Sequence, residues 1–156
     1  MPTHALVGHL VIATAPLTAL LALVYAWRPQ ARRRLRIPFV TIGVVNMALV
    51  GWAAQAGATL LDMFKATGRT TGEELSATAV VHAHQADALS VASLTLLLAA
   101  VVLLWWVLAP SRPRTTGATA GACLLSTCAL AVCWFSASTL VEATRSVWTH
   151  HTLWQG

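Results

Sequence analysis

Residues 88–109 read ALSVASLTLLLAAVVLLWWVLA, twenty-two consecutive positions without a charged side chain. A helix needs roughly 20 apolar residues at 1.5 Å each to cross the hydrocarbon core of a bilayer, so this stretch predicts a membrane span. Its helix extends back through a more polar lead-in to give 79–109. Three further stretches meet the same requirement, at about 5–27, 37–61 and 118–141. Together they consume most of a 156-residue chain in which 57% of residues are apolar and 10% charged, leaving no polar surface for a water-soluble fold. The reading is an all-α, up-down-up-down four-helix transmembrane bundle forming a single domain, 1–156, with a short C-terminal tail at 142–156. No soluble catalytic domain fits beside it, so any chemistry must come from helix ends, connections and bundle interior, and catalytic activity of its own is not expected.

A net charge of +5 invites a nucleic-acid reading, but the basic residues mark helix ends instead. Arg28, Arg32, Arg33, Arg34 and Arg36 fill the first connection and Arg112 and Arg114 the third, so seven of ten basic residues lie on one side. The positive-inside rule places that side in the cytoplasm and both termini outside, as in a multi-pass protein of a bacterial inner membrane. The first apolar run lacks a basic leader and is followed by arginines, which predicts a retained span rather than a cleaved signal. Pro38 is expected to open the second helix at its first turn, and Thr70 with Glu73 resembles a capping box starting the third. Cys123, Cys128 and Cys133 recur every five residues, about 140° apart on a helix, and predict packing thiols rather than a shared metal site.

The ionisable residues are distributed unevenly. All six histidines and all five carboxylates fall on the outer half. His9 on helix one, Asp62 closing helix two, His82 and His84 entering helix three and Glu142 closing helix four share one depth, with His4, His150 and His151 slightly farther out. Ionisable groups at mid-bilayer cost ~2.5–3.5 kcal/mol on insertion scales and less near the interface, so a cluster asks for a reason. Imidazoles there can ligate haem iron or a metal, or simply hydrogen-bond at the headgroups. His82 and His84 are about 200° apart on a helix, so one faces the bundle while the other meets solvent, headgroups or Asp87. Gly8 and Gly57 would let a backbone or a flat cofactor approach closely. A carboxylate ending a helix opposes the macrodipole by ~0.3–1 kcal/mol, so Asp62 needs a compensating role, such as orienting a ligating imidazole. Glu142 can do the same or pair with Arg145. Trp27, Trp105 and Trp106 read as an inner interfacial belt and Trp148 and Trp154 as an outer one, whereas Trp52 and Trp134 lie deep enough to pack the core or flank a ring-shaped cofactor.

His4-Ala-Leu-Val-Gly-His9, Gly57-Ala-Thr-Leu-Leu-Asp62, His82 and Leu140-Val141, taken together over nearly the whole chain, resemble the bacterial four-helix membrane family called domain of unknown function 2231. The pattern departs where that family has phenylalanine and proline after its second histidine: here stand Leu10 and Val11, with the proline displaced to Pro16. The family's glycine-rich end of helix four is replaced by Ser136 to Thr139. Relatives joined to Rieske-type iron-sulfur domains imply a redox setting. The resemblance therefore supports a membrane subunit of an electron-transfer system, holding a b-type haem through His9 and His82, or else Zn or Cu through His9, His82 and Asp62. His4 and His84 are further candidate ligands, with Asp62, Glu142 and Trp52 in support. A membrane redox complex or iron-sulfur protein is the expected partner, beside the lipid itself or a second copy. The rival is a cofactor-free anchor or accessory subunit. A transporter or enzyme is the weakest reading, because no ionisable residue lines a path through the inner half.

Overall fold

The computed structural model describes the main chain of residues 3–71, 77–110, 112 and 115–148, and the side chains among these apart from 67–71, 77, 78 and 146–148. Four helices, α1 Thr3–Trp27, α2 Arg32–Thr71, α3 Ala77–Trp106 and α4 Thr116–Trp148, form the bundle. Each contains a stretch long and apolar enough to cross a membrane. α1 lies beside α2 and α4, and α3 lies beside α4 and, more loosely, α2. This leaves α1 and α3 on a diagonal. Polar contacts fix the antiparallel register: the Thr14 hydroxyl bonds the Asn46 side-chain amide between α1 and α2 (2.9 Å), and the Trp27 indole donates to Ser126 of α4 (2.9 Å).

Small residues let the helices approach. Ala15, Ala19, Ala22 and Ala26 recur every three or four positions along α1 and are all buried, so the neighbouring helices pack almost onto its backbone. Between them sit the fully buried Tyr25, Phe39, Leu96, Leu104, Leu108 and Leu125. The outward faces are equally apolar, with Ile37, Val91, Leu98 and Leu130 each about 60% exposed, as lipid-facing positions must be. Trp52 and Trp134 belong to this outer surface, at 56% and 69% exposure, rather than to the core or to a cofactor wall. Where both faces of a helix are apolar, depth can be counted from the sequence but direction cannot.

At the arginine end the chain turns through a single 3-10 turn, Pro29–Ala31, and α2 starts at Arg32. The buried Arg32 guanidinium reaches back to the carbonyls of Tyr25 (3.1 Å) and Ala26 (2.9 Å), satisfying acceptors that the end of α1 leaves free. The Tyr25 hydroxyl in turn donates to Leu108 (3.2 Å), just past α3, and Arg36 stacks 3.9 Å over Trp105. Pro38 consequently lies inside α2 and does not open it. A lone missing donor is tolerated once the helix is held by its neighbours. α3 ends three residues short of the expected 109, where the Leu108 N–H bonds Leu103 (2.6 Å) in place of a regular helical partner. Thr115 caps α4 by accepting from the Ala118 N–H (3.2 Å).

The opposite end differs more from expectation. α2 continues ten residues past 61, through Thr71, so Thr70 and Thr71 finish α2 and do not begin α3. Glu73 lies outside the described residues. Asp62 is then an exposed mid-helix residue, and the macrodipole argument for a compensating role lapses. α4 likewise runs on past 141 to Trp148, making helical the first part of the expected tail.

Candidate functional site: two histidines across the bundle diagonal

At the end away from the arginines, α1 and α3 each aim one imidazole into the bundle. His4 and His82 meet edge to face, with ring centres 6.1 Å apart and ring planes at 89°. Their partners come from the other two helices. His4 Nδ1 lies 3.1 Å from the Ala53 carbonyl of α2. A carbonyl can only accept, so Nδ1 is the donor in this bond. A bond of this kind from one ring nitrogen to a carbonyl is how proteins orient a ligating imidazole. His82 is mirrored in chemistry. Its ring lies near the Thr139 backbone and the Glu142 carboxylate of α4, while its Nδ1 is buried without a partner.

Gly57 completes the wall. A Cβ built there would come within 3.0 Å of His4 Cε1 and 3.2 Å of Nδ1, so glycine lets the ring sit this close to α2 and any side chain would push it back by a few tenths of an ångström or more. Gly57→Val should displace the His4 ring and break its bond to Ala53 with little effect elsewhere, because an overpacked site typically costs ~1–3 kcal/mol. The check is the imidazole resonance of His4 by NMR, whose shift should move toward that of a solvent-exposed ring. Gly8, by contrast, faces open space, with no neighbouring helix or side chain close to it among the described residues.

The remaining candidates fall away from this pair. His9 is exposed and donates Nδ1 to Ala5 of its own helix (2.6 Å), five residues and about 140° round α1 from His4. His84 is exposed on the far side of α3 from His82, as the two-residue spacing requires. Asp62, five residues beyond Gly57, lies a similar 140° off the face that carries it. Glu142 is held by Arg145 at 2.8 Å and keeps 16% of its side chain exposed, so it does pair one turn along while standing within electrostatic reach of His82. His150 and His151 lie outside the described residues. The three cysteines are free thiols, Cys123 exposed and Cys128 and Cys133 half-buried. Among the described residues no three His, Cys, Asp or Glu side chains group as a metal site. The pairing of His4 with His82 was visible in the sequence only as two histidines at similar depth; that α1 turns His4 inward and His9 outward depends on its rotation, which packing decides.

Fold and site together define a multi-pass membrane protein, a four-helix bundle with a two-histidine centre near one end. No family model, no curated protein and no solved structure matches the chain, so its resemblance to domain of unknown function 2231 rests on the motif residues alone.

Proposed function

We propose that this protein is a membrane subunit of a redox system that holds one copper ion between His4 and His82 near the outer face. The observation that carries it is the diagonal histidine pair: one ring is oriented by a backbone carbonyl, and the other keeps a buried nitrogen unpartnered. An unsatisfied buried acceptor costs about 1–3 kcal/mol, and a bound cation removes that cost. The spacing suits an ion. Two metal–nitrogen bonds of ~2.0 Å, plus about 1 Å from each ring nitrogen to its ring centre, span roughly 6 Å, close to the 6.1 Å observed, and the ring that now presents its face must turn to bring a nitrogen onto the ion. Copper is favoured over zinc because two imidazoles make a low-coordinate set, whereas zinc takes four ligands in nearly all structural sites.

Haem is less well served. Two axial imidazoles have a similar spacing, but a porphyrin would have to enter between rings against which Ala53 and Gly57 of α2 and the Thr139 backbone of α4 are already set. The excess of arginines at the opposite end supports an outside location for the histidine end.

The test is copper titration of detergent-purified full-length protein against a competing chelator, followed by X-ray absorption at the copper edge. One copper per chain with two nitrogen neighbours near 2 Å is the expected result. A preparation that folds, binds no copper and shows no Soret band would leave the cofactor-free anchor as the function.

A further inference from the structure

His82 and His84 leave α3 on opposite sides, and the outward side opens a second feature. A groove of about 510 Å³ runs between α3 and α4, lined by His84, Asp87, Val91 and Thr95 on one wall and Ala131 and Phe135 on the other. From His84 to Thr95 is eleven residues, or about 16 Å of helix, close to half the ~30 Å hydrocarbon core. The groove thus begins at the depth of the histidine pair and ends near the bilayer middle. Its polar side chains are unevenly placed: His84 and Asp87, both exposed, stand at the mouth, while the walls below are apolar save for hydroxyls such as Thr95, which is bonded to its own helix.

We propose that this groove binds an isoprenoid quinone, ring at His84 and Asp87 and chain along Val91 and Ala131. Three features select that occupant. The mouth offers a hydrogen-bonding imidazole beside a carboxylate, with no Lys or Arg lining it among the described residues, which suits a neutral ring with two oxygens and disfavours an anionic phosphate. Phe135 supplies an aromatic face within the same groove. Finally, the mouth is separated from His82 only by the thickness of α3, about 10 Å, so a quinone there would lie beside the proposed copper site. This last feature rests on the redox reading; the shape and chemistry of the groove do not.

The experiment uses full-length protein in phosphatidylcholine nanodiscs, a photoreactive azidoquinone with a short isoprenoid tail, and peptide mapping of the label. Label concentrated on 84–95 and 127–135, and competed by decylubiquinone, is the expected result. Ala131→Trp, which fills the groove, should reduce it at least about tenfold, equivalent to 1.4 kcal/mol of binding. Val91→Trp, at a position already 66% exposed, serves the same purpose with little risk to folding. Label spread evenly over the four helices, indifferent to decylubiquinone or unchanged in both tryptophan variants overturns the proposal. Copper titration of the same variants separates the two sites. Copper retained with quinone lost in the tryptophan variants supports a separate groove site, whereas groove labelling that persists in protein unable to bind copper removes the copper reading alone.

Discussion

His4→Ala and His82→Ala will each weaken copper binding by about 100-fold or more, some 2.8 kcal/mol, whereas His9→Ala and His84→Ala will leave it within about twofold. The contrast follows from direction rather than depth. All four histidines lie near one end, yet only His4 and His82 point at one another, 6.1 Å apart across the diagonal. His9 spends its Nδ1 proton on Ala5 and is exposed, and His84 faces the groove outside the bundle. Removing either inward ring halves a two-ligand set, and no third carboxylate or thiol is grouped there, among the described residues, to compensate. Competitive titration of the four single variants is the measurement. Equal losses from His9→Ala and His4→Ala would refute the diagonal site and return the weight to the motif histidines as a pair.

The second large effect is on stability. Arg32→Ala should destabilise the protein by about 2–5 kcal/mol, because it strands the carbonyls of Tyr25 and Ala26, each worth ~1–3 kcal/mol when buried unsatisfied. It also removes a cation from the end of α1, where the macrodipole favours one by ~0.3–1 kcal/mol. Arg32→Lys should recover part of the loss, since an ammonium can reach one carbonyl but cannot fork to two as the guanidinium does. Arg33→Ala and Arg34→Ala, both exposed, should stay within about 0.5 kcal/mol of the parent. Reversible unfolding in mixed micelles reads all four. If Arg32→Ala matched Arg33→Ala, the arginine end would be held by lipid and not by this bond.

Arg32 also shows how the same residues carry two messages. As one of a run of arginines it predicted orientation, and it does so by composition alone. That it closes α1 onto α2 was not legible, because Arg28, Arg33 and Arg34 have the same chemistry and nothing local distinguishes the one that is buried. Asp62 went the other way. Its place at the end of an apolar run suggested a helix terminus and a supporting acid, but α2 continues because no helix breaker follows before Gly68, and tertiary contact at the base of a helix outweighs the polarity of its last turns. Trp52 and Trp134 were expected to pack the core or flank a cofactor, and both lie on the outer surface.

By itself, then, the sequence determined the four spans, the asymmetry of arginines against histidines and carboxylates, and the opposition of His82 to His84, though not where α2 and α4 end. Those follow from length, charge and the 100° step of a helix, which are local. Tertiary structure decided rotation about each helix axis. It turned His4 inward and His9 outward, set Gly57 under the His4 ring and left a groove below His84 and Asp87. In a bilayer the apolar solvent gives a helix no preferred inner face, so that choice falls to close packing of alanines and glycines and to a few hydrogen bonds across helices.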